Sequence, residues 1–232
     1  MRLSNPFRDL TRFEMRLWLF SVVSIAASFL LSLFFASGVD MLTLIAALIG
    51  VTALIFLAKG FVLGQVLTIV FAVFYGLISY YYRYYGEMIT YLGMTAPSAA
   101  AAAISWLRHP YQGTKEVAIH RLSSRQWLLI TVLTALTTAV FYHILSFLGN
   151  ANLVLSTVSV TTSFLASALT FFRSPYYALA YAANDVILIG LWSLASIENP
   201  AYLPMVVCFF LFLANDLYGY VSWQRMKKRQ AA

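Results

Sequence analysis

The chain has 232 residues, of which 62% are hydrophobic and 10% charged, with a formal net charge of +7. Soluble domains carry about 25% charged residues, so the composition excludes a soluble domain and indicates an all-α integral membrane protein. The basic excess sits in short loops and at the termini, which argues against a nucleic-acid partner, and the single cysteine, Cys208, excludes an intrachain disulfide and a Cys-based metal site.

A helix needs about 20 apolar residues to cross a ~30 Å hydrocarbon core. By that length the sequence predicts eight transmembrane helices, near 17–36, 41–57, 61–82, 86–106, 127–147, 151–172, 176–196 and 201–222. Short connections separate several of them, at Ser37-Gly38, Lys59-Gly60, Gly149-Asn150, Ser174-Pro175 and Asn199-Pro200. The first apolar run is too long for the core of a signal peptide, so it is expected to stay on the chain. With the N-terminus inside, 14 of the 15 Lys and Arg residues fall on the inner side and only Arg83 lies outside. Such a split predicts a multi-pass protein with both termini cytoplasmic. The longest inner loop, 108–126, contains KEVAIHRLSS, whose alternation fits a short strand or an interfacial segment. His109 and His120 in that loop have no carboxylate or thiol cluster beside them and read as solvated, so no metal site is expected.

Polar residues inside the spans carry the functional signal. The third span holds Gln65 and Tyr75. The fourth opens on Tyr-Gly-Glu-Met with Glu87, and its Pro97 predicts a kink. The Ser/Thr run of the sixth span reads as helix packing. Two Asn-Asp pairs follow, Asn184-Asp185 and Asn215-Asp216. A carboxylate near mid-bilayer costs at least ~2.5 kcal/mol, so such residues usually face a bundle interior or a watery cavity. Tyr177, Tyr181, Asp185 and Trp192 share one helical face, with Asn184 beside it. Rings stack on Tyr or Trp while Asn and Asp bind hydroxyls or an amide, so this stripe suits a flat aromatic ligand bearing hydroxyls, and the acid favours a cationic ring. Asp216 lies near the inner boundary, where it fits a gate, a helix contact or a pair with a basic loop residue. Trp106 and Trp223, at the same boundary, read as interfacial anchors. The candidate substrate-binding residues are Gln65, Tyr75, Glu87, Tyr181, Asn184, Asp185, Trp192 and Asn215. A phosphate-binding GxxxxGK[ST] loop, a nucleophile-base-acid set and HExxH are all absent from the sequence. Neither enzymatic activity nor a cofactor is expected.

A shift of 117 residues brings Ser105-Trp106 onto Ser222-Trp223 and Tyr75 onto Trp192, and overlays spans two to four on spans six to eight. Three helices, one linker helix and three more give two bundles in the same orientation, a parallel repeat with its site near the midplane between the halves. The expected organisation is an N-terminal segment with an added helix (1–38), a first bundle (39–107), a loop and linker helix (108–150), a second bundle (151–224) and a basic tail (225–232).

The stretches FAVFYGLISYYYRYYGEMITY, ISWLRHPYQGTKEVAIHRLS, AYAANDVILIGLWSLAS and FLANDLYGYVSWQRM together resemble the PnuC family of vitamin and nucleoside transporters, from about residue 41 to 228. The resemblance implies a full-length SWEET-like, three-one-three fold in a bacterial inner membrane. It implies uptake of nicotinamide riboside by facilitated diffusion, with trapping by a cytoplasmic kinase that phosphorylates the substrate. It also implies a homo-oligomer, as trimers are known in the family. Thiamine, riboflavin or a deoxynucleoside is the alternative cargo. Nicotinamide riboside carriers often show a Trp-x-x-Trp motif before the span-seven carboxylate; the matching positions here are Ala178 and Tyr181, of which only Tyr181 can stack. An acid at Asp185 or Glu87 fits both a passive site and a proton carrier.

Overall fold

The computed structural model describes residues 5–34, 40–81, 88–150 and 152–231; the turn at Ser37-Gly38, Arg83 and Glu87 lie outside them. Among the described residues there are eight α-helices. They are α1 Arg12–Leu31, α2 Met41–Ala58, α3 Val62–Tyr81, α4 Ala96–Arg108, α5 Ser124–Phe147, α6 Leu153–Phe171, α7 Tyr177–Glu198 and α8 Leu203–Gln230. Helices α1, α2 and α5–α8 are long and apolar enough to cross a membrane, and α3 contributes a shorter apolar run, Val62–Leu77. In place of a strand, the 108–123 loop makes two isolated antiparallel bridges, Phe61 with Glu116 and Pro110 with Val117.

Local chemistry sets the boundaries. Thr11 and Glu14 form a capping box, which starts α1 several residues ahead of its apolar run. Ser123 and Gln126 do the same for α5. A π-helical segment, Ile89–Thr95, leads into α4, with Pro97 in the first turn that follows. Pro97 has no N–H to donate, and Thr95 Oγ1 bonds the carbonyl of Thr90 at 3.2 Å. The expected kink is therefore realised as a wide turn.

Helix α2 packs on α3 and α3 on α4; α6 packs on α7 and α7 on α8. Across the molecule α2 meets α8 and α4 meets α6, α1 covers α2 and α8, and α5 lies against α6. Both chain termini sit at one end. Lys115 pairs with Asp9 at 2.6 Å, and the Ile119 amide donates to Gln230 Oε1 at 2.8 Å. Every Lys and Arg among the described residues lies at this termini end or in the helical turns beside it.

Trp106 and Trp223 differ from the expected lipid-facing anchors. They are 1% and 0% exposed, with ring centroids 5.4 Å apart. Trp106 Nε1 donates to Thr170 O at 2.9 Å and Ser105 Oγ to Phe171 O at 2.8 Å, at the end of α6. Trp223 Nε1 donates to Leu57 O at 2.8 Å and Ser222 Oγ to Ala58 O at 2.7 Å, at the end of α2. The last carbonyls of a helix have no intrahelical donor, so a buried indole N–H there satisfies both partners.

The added helix α1 is held by polar contacts. Glu14, 2% exposed, accepts from Tyr218 of α8 at 2.7 Å and from Lys59 at the end of α2 at 3.3 Å. Asn215 donates to Ser21 at 3.0 Å.

Candidate functional site

A cavity of about 520 Å³ opens at the end opposite the termini, between α3 and the π-helical segment on one side and α6 and α7 on the other. Its volume falls in the ~300–1,000 Å³ range of small-molecule sites. From α7, Asn184, Leu188 and Trp192 face it at i, i+4 and i+8; from α6, Ser156, Ser159 and Ser163 do. The α5–α6 turn closes its rim with Gly149, Asn150 and Asn152. Among the described residues, none of those lining it is Lys, Arg, Asp or Glu.

Two aromatic pairs flank this hydroxyl-rich wall. Tyr75 of α3 and Tyr91 of the π-helical segment have ring centroids 4.6 Å apart, and Trp192 and Tyr202 are 5.6 Å apart. Asn184, 7% exposed, accepts at Oδ1 from Ser159 Oγ at 2.9 Å and Thr162 Oγ1 at 3.0 Å. Those two donors fix the amide, leaving its NH₂ group without a protein acceptor among the described residues. The Trp192 indole N–H likewise has none. The wall can therefore donate hydrogen bonds, and the rings can stack on a planar cation.

Of the eight residues singled out in the sequence, the cavity gathers Tyr75, Asn184 and Trp192. Asp185 is one position away from Asn184 and turns the other way, where its carboxyl faces that of Asp216 on α8; both are 4% exposed. Tyr181 lies with Ser167 of α6, its hydroxyl 3.2 Å from Ser167 Oγ. Asn215 donates to Ser21 and, at 2.8 Å, to Leu211 O, so it ties α1 to α8. Gln65 is 2% exposed within α3, outside the cavity wall. Glu87 is outside the described residues. Thr90, Tyr91, Thr95 and the α6 serines line the cavity although the sequence did not mark them as site residues. Pro97 was the available signal, since it forecasts irregular helix next to Thr95, and π-turns often sit at functional sites. Ala178, in the position of the first motif tryptophan, is fully buried against Gly219. Among the described residues no group of three His, Cys, Asp or Glu side chains could hold a metal ion.

A family model described as nicotinamide mononucleotide transporter matches residues 40–225. A nicotinamide riboside transporter PnuC of Neisseria mucosa is 28% identical over 230 residues, covering 97% of this chain and 86% of the relative. One from Haemophilus influenzae is 25% identical over 190 residues, with 81% of each chain covered. The crystal structure of a vitamin B3 transporter PnuC superposes with a TM-score of 0.80 at 27% identity, covering 95% of this chain and 94% of that one.

Proposed function

The chain belongs to the nicotinamide mononucleotide transporter family, and from that membership we propose that it carries nicotinamide riboside across a bacterial inner membrane. The observation that carries the choice of riboside over mononucleotide is the absence of Lys and Arg from the cavity wall among the described residues. A phosphate brought into a water-poor site needs a cationic or multi-donor partner, whereas a riboside needs only hydroxyl and amide contacts around its sugar. In this reading Tyr75 and Trp192 flank the pyridinium ring, and the Asn184 amide with the α6 serines binds the ribose or the carboxamide. Tyr181 and Asp185 support α7 from behind, through Ser167 and Asp216.

The proposed arrangement is a three-one-three parallel repeat, α2–α4 and α6–α8 joined by α5, with α1 added. Its support is reciprocity: the last helix of each half hydrogen-bonds the end of the first helix of the other, by a serine and a tryptophan each time. The gathering of basic residues at the termini end supports a cytoplasmic location for both termini. The proposed mode is facilitated diffusion in a homo-oligomer, a trimer by the family resemblance, with a cytoplasmic kinase trapping the product.

The test is a thermal-shift panel on purified protein with nicotinamide riboside, nicotinamide mononucleotide, thiamine, riboflavin and deoxynucleosides, followed by uptake into proteoliposomes. Nicotinamide riboside should stabilise the protein and be taken up, and the mononucleotide should do neither. A larger shift with thiamine, riboflavin or a deoxynucleoside would replace the proposed cargo.

A further inference from the structure

The cavity opens at one end of the bundle, so a solute that crosses must leave at the other, and the termini end is shut. Three side chains between the cavity and that end, Tyr177, Trp106 and Trp223, are each at most 1% exposed. Beneath them runs the 109–120 segment. Val117, 1% exposed, joins the core cluster of Trp106, Trp223, Ile130 and Met226. The segment is folded on itself: the Tyr111 amide donates to Glu116 O and the Ala118 amide to His109 O, each at 2.8 Å.

Besides the Lys115–Asp9 pair with the N-terminal stretch, its outward contacts fall into two sets. One joins it to the half it emerges from, where the Val117 amide donates to Gly60 O at 3.0 Å in the α2–α3 turn. The other set reaches the second half. The His120 amide donates to Arg173 O at 3.2 Å in the α6–α7 turn, and Arg173 Nε returns a bond to Ala118 O at 3.1 Å. Gln230 on α8 uses both ends of its amide, accepting from the Ile119 amide at 2.8 Å and donating to Val117 O at 3.1 Å.

Gly60 and Arg173 occupy corresponding turns, and both are left-handed, with φ of 68° and 56°. Glycine does this without a steric penalty; an arginine there is uncommon and is kept only where its surroundings over-determine it. Here those surroundings are the segment itself and Ser105 of α4, to which Arg173 Nη1 donates at 2.9 Å. Burial pulls the guanidinium below its ordinary value, so these bonds compensate a desolvated cation. The halves also meet through the buried indole and serine bonds of α4 and α8, but the segment itself is tied to the second half by only one strained arginine, one bidentate glutamine and the exposed Glu116–Arg229 pair, which suits a flap that opens and closes.

We propose that segment 109–120 is the gate at the termini end: it stays with the first half and is latched to the second by Arg173 and Gln230, and each transport cycle breaks those latches. This rests on the transport reading above. Two experiments test it. Glu116 and Arg229 form an exposed ion pair between the segment and α8, and such pairs contribute little to stability. A Glu116→Cys/Arg229→Cys variant in a Cys208→Ala background, reconstituted in proteoliposomes, is bridged with a short, reducible bifunctional thiosulfonate. Uptake of nicotinamide riboside should fall at least about tenfold on bridging and return with reductant. Undiminished uptake with bridging complete overturns the gate and leaves transport standing; absence of uptake by the unaltered chain overturns the transport reading and the gate with it. In the second experiment, Val117→Cys in the same background reports opening to a membrane-impermeant maleimide. Adding Gln230→Ala should speed its labelling by about tenfold, since two hydrogen bonds are lost. An unchanged rate overturns the latch.

Discussion

At Asn184 two hydroxyl donors hold the side-chain carbonyl and thereby aim the amide nitrogen into the cavity. Asn184→Ala removes that donor and leaves Ser159 and Thr162 to find other acceptors. A lost hydrogen bond with a partner left unsatisfied costs about 1–3 kcal/mol, so the dissociation constant for nicotinamide riboside should rise about 5- to 150-fold by calorimetry, with the protein still folded. Trp192→Ala should weaken binding as well, through loss of its ring, while Trp192→Phe retains much of the affinity. The sequence pointed to this stretch because a polar pair interrupts an apolar helix. It grouped Tyr181, Asp185 and Trp192 on one face with Asn184 beside it, whereas of these the cavity takes only Asn184 and Trp192. Neighbouring residues on a helix differ by about 100° in direction, and α7 is enclosed by α6 and α8. Periodicity alone therefore does not tell a cavity-facing side chain from one buried between helices.

At the scale of elements, the close contacts are made by small residues and indoles. A Cβ on Gly64 would lie 2.6 Å from the backbone nitrogen of Leu57, so α2 and α3 approach there without room for a methyl group. Gly64→Ala should destabilise the protein by about 1–3 kcal/mol, seen as a lower melting temperature in detergent. Trp223→Phe keeps an aromatic ring but removes the indole donor to Leu57 O, which retains only the Gly60 amide, at a cost of about 0.5–1.5 kcal/mol; Trp106→Phe should act alike at Thr170 O, which retains the Arg173 amide. Long apolar runs made most of the helices legible in advance, six of those described being long and apolar enough to cross a membrane. The boundaries were less so. Helix α8 runs on to Gln230 through Lys227, Lys228 and Arg229, because cations suit a helix C-terminus although hydropathy registers them as the end of a span. The π-turn before Pro97 left no periodic trace, since its altered spacing lasts only seven residues.

Over the whole molecule, polarity is distributed by end. The described Lys and Arg residues gather with the termini, and the cavity opens at the opposite end. Impermeant reagents should reach single cysteines placed at Asn5 or Ala231 only from the cytoplasmic face of oriented vesicles; labelling from the outer face would reverse the proposed topology. Helix α1 stands outside the two halves yet touches both, through Lys59 and Tyr218 on either side of Glu14. Removing one partner of a buried ion pair typically costs about 3–5 kcal/mol, and the partial exposure of the Lys59 side chain, 17%, puts Glu14→Ala at the lower end. Its melting temperature should fall while affinity for the ligand is retained, because Glu14 is remote from the cavity. The sequence identified α1 as an addition but not its role as a clasp, since Glu14 precedes the apolar run and reads there as an ordinary flanking charge.

Among the described residues the cavity wall carries no ionised side chain, so none of them neutralises a bound pyridinium. If the proposed cargo crosses alone, one net positive charge moves with each molecule. A membrane potential of 100 mV, negative inside, is worth about 2.3 kcal/mol per charge, equivalent to about a 50-fold inward concentration ratio. The voltage across the membrane would then do work that a coupling ion does elsewhere. In vesicles, an imposed inside-negative potassium diffusion potential should raise the final level of nicotinamide riboside, and collapsing it should let the accumulated solute run back out.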